Sequence, residues 1–172
     1  MAAMKSENAV YRLSSSPDPR FKCLTYRAKQ SLLGNEFPIE DWRPEFASDG
    51  TWYPRTLARV WTPQPVEGDV AGFVDYPTLE LTTPAFSPRA VDALRPLLEN
   101  AGELLEVRHK KGPYFALNVT AVSDALMVRK SEVKWFPSAK GVKALDITRF
   151  EFAKARLRGL TLFRLKQSAG LS

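Results

Sequence analysis

The chain has 172 residues, a formal net charge of +6, 44% hydrophobic residues and 26% charged residues, the balance of an ordinary globular protein long enough for one domain. One cysteine, Cys23, and one histidine, His109, exclude an internal disulfide framework and a cysteine- or histidine-cluster metal site. No stretch approaches the roughly 20 apolar residues of a membrane span. No signal-peptide core precedes Val10, so the expected location is cytoplasmic, without a membrane partner.

Residues 1–84 carry most of the prolines and the scattered Trp42, Trp52 and Trp61. Proline blocks long helices and central strands, so this half is expected to form short strands and ordered loops packed on the rest. Tyr11 to Leu13 reads as a short strand, Ser14 to Arg20 as a loop, and Ala28 to Leu33 as a helical turn stopped by Gly34. Cys23, flanked by Phe21 and Leu24, reads as a half-buried strand thiol. Leu57 to Trp61 alternates and predicts a strand ending at Pro63 and Pro65.

Residues 85–172 read as an α+β module. Ser87-Pro88 is a helix start, a side-chain cap followed by a proline that suits the first turn. Val91, Leu94, Leu97 and Leu98 then recur at helical spacing, predicting one apolar stripe on a helix over about 88–101, with Pro96 as a kink and Gly102 as the stop. Leu104 to Val107 and Tyr114 to Thr120 predict a hairpin with Phe115, Leu117 and Val119 on one buried face and His109 to Pro113 as its turn. Val122 to Leu126 reads as a turn or short helix. Val133 to Phe136 and Val142 to Ile147 read as paired strands around a turn at 137–141, with Phe150 and Phe152 continuing the alternation. Ala153 to Arg158 reads as a helical turn closed by Gly159, and Thr161 to Leu165 as a last strand. The fold class is therefore α+β, a mainly antiparallel sheet with one principal helix packed on it.

The chemical inventory is thin. His109 sits beside Lys110 and Lys111 and reads as a solvated turn residue. Cys23 has no evident base. Asp75, Asp124 and Asp146 show no spacing that would build a carboxylate-only cation site. There is no phosphate-binding glycine loop and no serine nucleophile elbow. The sequence predicts a non-enzyme with no catalytic residue, no cofactor and no metal.

Charge is unevenly placed. Residues 87–172 hold 16 Lys and Arg against 8 Asp and Glu, whereas residues 1–86 are net acidic. A basic half implies an acidic partner, either a protein face or nucleic acid. The candidate contacts are Arg108, Lys110 and Lys111 at the hairpin tip and Lys154, Arg156 and Arg158 before Gly159, because loop tips on a rigid scaffold commonly carry binding. The chain lacks a helix-turn-helix or aromatic RNA-binding motif, which makes nucleic acid the second choice.

Residues 85–165 resemble a known family. Ala85-Phe86-Ser87-Pro88-Arg89-Ala90-Val91-Asp92-Ala93-Leu94-Arg95-Pro96-Leu97-Leu98 resembles its signature helix, followed by Gly102-Glu103-Leu104-Leu105. Tyr114 to Thr120 is similar to its Y-x-x-x-N-V-T strand, and Val122-Ser123-Asp124-Ala125-Leu126 to its V-x-D-A-L step. Ser131-Glu132-Val133 follows, and Phe150 to Phe163 resembles its ending. Asp75-Tyr76-Pro77 is similar to the segment before the helix. The family is the eleventh-numbered class of immunity proteins from bacterial polymorphic toxin systems. The resemblance implies a cytoplasmic protein that binds and blocks a secreted toxin, many of which are thought to be nucleases; an adaptor that carries the toxin is an alternative. Two departures stand out: Met127 where the pattern often has Asp, and an end at Ser172 where members continue with a further strand, which fits a truncated chain, a divergent short form or a last strand supplied otherwise, and would leave a sheet edge open to pairing.

Overall fold

A computed structural model describes residues 10–12, 23–27, 45–46, 52–68, 74–80, 83–137 and 143–168. In chain order its elements are β1 (Cys23–Tyr26), β2 (Glu45–Phe46), β3 (Trp52–Tyr53), β4 (Gln64–Glu67), β5 (Thr78–Leu79), β6 (Thr83–Phe86), α1 (Pro88–Glu99), β7 (Gly102–His109) and β8 (Gly112–Val119). Next come β9 (Val122–Ser123), β10 (Glu132–Trp135), β11 (Ala144–Arg149), a 3-10 turn (Lys154–Leu157), β12 (Arg164–Leu165) and a second 3-10 turn (Lys166–Ser168). The fold is α+β, with mostly antiparallel pairing and one principal helix among the described residues.

Six strands close into a barrel in the order β1-β4-β7-β8-β6-β5. The β4–β7 and β1–β5 pairs are parallel and the other four antiparallel. Strands from both sides of Pro84 therefore share one sheet. A six-stranded barrel is narrower than the eight-stranded kind whose interior side chains just fill. Here Leu24, Val66, Leu79, Ala85, Val107, Tyr114 and Ala116 fill it as a packed core, with Trp61 and Tyr26 packed against it.

The long hairpin β7–β8 pairs in continuous register from Gly102–Val119 to His109–Gly112. Period-two alternation splits it into two faces. Val107, Tyr114 and Ala116 point into the barrel, while Leu104, Phe115, Leu117 and Val119 point out and are covered by α1. Gly102 is required by close approach: a Cβ there would lie 2.0 Å from the Asn118 carbonyl oxygen. It opens β7 and does not terminate the helix, which ends at Glu99 with Asn100 as its cap, earlier than residue 101. At the other end Ser87 Oγ accepts from the Ala90 amide at 3.1 Å, the expected cap.

The stripe on α1 is narrower than its spacing suggests. Val91 and Leu98 are buried against Phe86 and Leu117, but Leu94 and Leu97 are 37% and 47% exposed. Val91 and Leu98 lie seven residues apart on one line of the helix, whereas Leu94 and Leu97 fall on its flank. There Thr161 Oγ1 donates to the Leu97 carbonyl at 2.8 Å. The helix runs through Pro96 without interruption.

A smaller C-terminal layer has its own core of Leu126, Ala144, Ile147 and Leu165, with Val133, Trp135, Phe152 and Phe163 packed on it. It is built from the β10–β11 pair, the parallel β9–β12 pair and a bridge between Leu126 and Phe152. Three expectations fail here and in the N-terminal half. Tyr11 and Arg12, expected to begin a first strand, form none. Residues 122–123 are a strand, not a turn or helix, because β12 pairs with them. Residues 57–61 are a loop, and the strand begins only at Gln64 and contains Pro65. The Leu57 and Ala58 amides that a strand would use are taken by the Glu103 carboxylate at 2.8 and 3.1 Å. The loop expected at 14–20, the helical turn expected at 28–33 and residues 138–141 of the turn expected at 137–141 lie outside the described residues.

Candidate partner-binding surface

The two basic groups singled out in the sequence sit at opposite ends of the central hairpin. Arg108, Lys110 and Lys111 are exposed at the β7–β8 tip. Lys154 and Arg156 are exposed on the 3-10 turn and Arg158 just after it; the turn is tied to the other end of β8 through Asp124, with Arg156 Nη1 3.0 Å from Asp124 Oδ2. An eight-residue strand at 3.3 Å per residue separates them by roughly 23 Å. They are two surfaces, not one.

The tip is a more rigid place than expected. His109 is 6% exposed, not solvated, because it ends β7 rather than sitting in the turn. Its Nε2 lies 3.1 Å from the Gly68 carbonyl oxygen, and its Nδ1 accepts from the Lys111 amide at 3.3 Å. Its ring packs edge-on to Tyr114 at 6.2 Å. Arg108 leans on Glu106 at 3.6 Å. Both imidazole nitrogens are engaged by backbone groups, and the Cys23 Sγ donates to the Leu24 carbonyl at 3.3 Å.

The three aspartates are not gathered. Asp75 Oδ1 accepts from Ser87 Oγ at 2.6 Å and from Arg89 Nε at 3.2 Å. The Arg89 hydrogen bond first, and the Ser87 hydroxyl second, hold its carboxyl below the usual carboxylate range. Asp124 pairs with Arg156, and Asp146 accepts from the following amide of Ile147 at 2.8 Å. Among the described residues no group of three or more His, Cys, Asp or Glu side chains could hold a metal ion. None of the described helices is long and apolar enough to cross a membrane.

Charge is segregated by layer. Residues 122–168, which build the C-terminal layer, hold eleven Lys and Arg against four Asp and Glu. Residues 1–121, which include every barrel strand and α1, hold fourteen against fifteen. The positive excess of the sequence therefore falls in the stretch that builds this layer, whose described residues hold ten Lys and Arg against four Asp and Glu. The halving of the chain at residue 87 blurs this, because α1 and the hairpin β7–β8 are nearly neutral. One cation of the layer is unusual: Arg164 is half-buried on β12, has no acidic partner among the described residues, and burial pushes its guanidinium pKa down.

Sequence reasoning missed Arg129, Lys130 and Lys134, all exposed in this layer, because they fall in a turn and on a strand without a run of like charge. A shallow groove of about 360 Å³ lies between α1 and the hairpin, floored by Leu104 and Phe115 and rimmed by Asp92, Arg95 and Glu99. Arg95 bridges both acids at 3.1 and 3.2 Å, so the groove rim is electrically closed on itself. Comparison with protein families, with curated proteins and with solved structures returns no match.

Proposed function

We propose that this chain acts by binding another protein, as an immunity protein that neutralises a cognate bacterial toxin by direct contact. The observation that carries the binding reading is the segregation of charge, a near-neutral barrel and helix bearing one strongly basic layer. Such a field raises the association rate for an acidic partner and falls off with salt. The toxin as partner is supported by the resemblance of residues 85–165 to the immunity family.

An inhibitor needs no catalytic group. It can cover the toxin's active site or hold the toxin in an inactive shape. A basic inhibitor does not imitate nucleic acid, so with a nuclease toxin the contact is expected beside the active site and not inside it.

Co-expression tests this directly. The toxin domain encoded beside this chain is induced in a bacterial host with and without it, and the pair is co-purified. Survival together with a stable complex is the expected result. A complex without survival indicates an adaptor. Neither survival nor a complex defeats the immunity reading for that pair, and salt-dependent binding to DNA or RNA would then be the better account.

A further inference from the structure

Two antiparallel segments of the C-terminal layer, residues 125–132 and 149–154, are clamped together along an exposed ridge. The Met127 amide donates to the Glu151 carbonyl at 2.7 Å, and the Ala153 amide to the Ala125 carbonyl at 2.8 Å. The Glu151 amide donates to Ser131 Oγ at 3.0 Å, and Arg149 Nη2 to the Lys130 carbonyl at 3.2 Å. Leu126 and Phe152 form a bridge between the segments. This backbone is fixed before any partner arrives, which reduces the ordering cost of association.

Two apolar side chains stand on that ridge in the open, Val128 and Phe150, each 36% exposed. Phe150 is not a loose ring. It stacks on Phe152 at 6.0 Å and 14°, and Phe152 packs edge-on to Phe163 at 6.4 Å in the layer's core. A rigid aromatic anchored from below is the kind of residue that dominates protein interfaces. Flanking it are exposed Arg129, Lys130 and Lys154, none with an acidic partner among the described residues. Arg149 is paired with Glu132 at 3.2 Å, which leaves Glu151 as the one unpaired acid among the ridge's described residues.

We propose that this ridge, centred on Val128 and Phe150 and flanked by Arg129, Lys130 and Lys154, is where the partner docks, and that it receives a protein surface rich in Asp and Glu. The inference rests on reading the chain as a protein binder and says where the contact falls. An apolar centre inside a charged rim is the anatomy of a protein interface. A nucleic-acid strand fits less well. Glu132 and Glu151 lie on the ridge itself and repel phosphates, whereas a protein face can set a Lys or Arg opposite Glu151. A stacking platform also needs successive exposed rings, and the neighbour of Phe150 is turned into the core.

The test uses the whole chain and labelled poly-L-glutamate, with a short DNA duplex at matched salt as the competing class, read by fluorescence anisotropy. The double variant Arg129→Glu/Lys130→Glu, checked as folded by circular dichroism, is expected to bind poly-L-glutamate roughly tenfold more weakly, since each reversal removes an attraction and adds a repulsion. The control Lys110→Glu/Lys111→Glu, which makes the same charge change at the hairpin tip, is expected to leave binding within about twofold because its distance exceeds the Debye length. Equal losses from both pairs would mean diffuse charge and would overturn the ridge. Tighter binding of the duplex, lost in Arg129→Glu/Lys130→Glu, would assign the ridge to nucleic acid instead. In the co-expression assay Phe150→Ala is expected to abolish rescue. Rescue that survives both Phe150→Ala and Arg129→Glu/Lys130→Glu would overturn the ridge and leave the immunity reading standing. Absent rescue by the unaltered chain defeats immunity alone, and the polyglutamate arm still judges the ridge.

Discussion

Removing the Glu103 carboxylate should release the 55–58 loop from the barrel. Glu103 lies on β7 and accepts three hydrogen bonds: from the Leu57 amide at 2.8 Å, the Ala58 amide at 3.1 Å and Asn118 Nδ2 at 2.9 Å. Asn118 is its register partner on β8 and donates in addition to the Arg55 carbonyl at 2.8 Å. Leu57 is 1% exposed and Asn118 is 2% exposed, so donors left behind there do not all reach water. Hydrogen bonds to a charged acceptor contribute about 1.5–3 kcal/mol each when partners are sheltered, but Ala58 is exposed and regains water. Counting two sheltered donors, Glu103→Ala should cost about 3–6 kcal/mol. Glu103→Gln keeps one accepting oxygen and turns an amide toward a donor, so it should cost about 1–2 kcal/mol. The assay is urea unfolding followed by tryptophan fluorescence, which Trp61 reports because its Nε1 donates to the Glu106 carbonyl at 2.7 Å at the end of the same loop. A Glu103→Ala loss below about 0.5 kcal/mol, the size of an ordinary surface change, would refute the bracket, as would Gln and Ala variants of equal stability.

Three further outcomes follow from the packing. Gly102→Ala places a Cβ 2.0 Å from the Asn118 carbonyl oxygen and 2.8 Å from the Thr120 nitrogen, both backbone atoms, so β7 and β8 must part and thermal unfolding should show a loss of at least about 3 kcal/mol. Ser87→Ala removes the α1 cap and the Asp75 hydroxyl contact together, and should lower stability by about 1–2 kcal/mol in denaturant titration. The Asp75 carboxyl sits below the usual range when folded, so its contribution is present above the ordinary carboxylate pKa and is lost as pH falls through the folded value. An acid titration of Asp75→Asn should therefore show a shallower stability loss in that window than the unaltered chain.

The hairpin was readable because Phe115, Leu117 and Val119 alternate strictly, and the start of α1 because Ser87-Pro88 is a local signal. Barrel closure was not readable. It depends on Cys23 and Leu24 meeting Thr78 and Leu79 in parallel, a pairing of two-residue stretches that leaves no periodicity. Leu57 to Trp61 misled because alternation shows which side chains can be buried but not who satisfies the amides, and Glu103 lies 46 residues away from Leu57. The stripe on α1 misled for a related reason. Leu94 and Leu97 have helical spacing, but only the line through Val91 and Leu98 meets the sheet. For the candidate surface, the sign of the charge was legible and its location was not. Counting Lys and Arg places an excess in the C-terminal half, yet the boundary falls near residue 122, where the barrel ends and the smaller layer begins. Arg129 and Lys130 become neighbours of Phe150 only through hydrogen bonds between residues some 20 positions apart.

His109 allows a prediction whose sign is set by partner chemistry alone. A backbone carbonyl only accepts, so the bond to Gly68 requires a proton on Nε2; a backbone amide only donates, so the bond from Lys111 requires a bare Nδ1. These two bonds select the Nε2–H tautomer of the ring. Nitrogen-15 NMR of the imidazole should report that tautomer, with a slowly exchanging Nε2 proton. His109→Phe keeps a ring against Tyr114 but strands the Gly68 carbonyl and the Lys111 amide. It should cost about 2–4 kcal/mol, more than a hydrogen-bond count alone, because unpaired sheltered groups carry their full desolvation penalty. The Lys111 amide should then exchange faster than that of Val107 further along β7. An Nδ1–H tautomer, or a His109→Phe variant as stable as the unaltered chain, would show that the tip is not held through this ring. Gly68 gives an independent check on the same latch. Its φ is +149° and a Cβ would lie 2.4 Å from the Cys23 carbonyl oxygen, so Gly68→Ala must move the carbonyl that His109 grips. Loss of the Nε2 proton's protection in Gly68→Ala, with His109 itself unchanged, would tie the tautomer to that one bond.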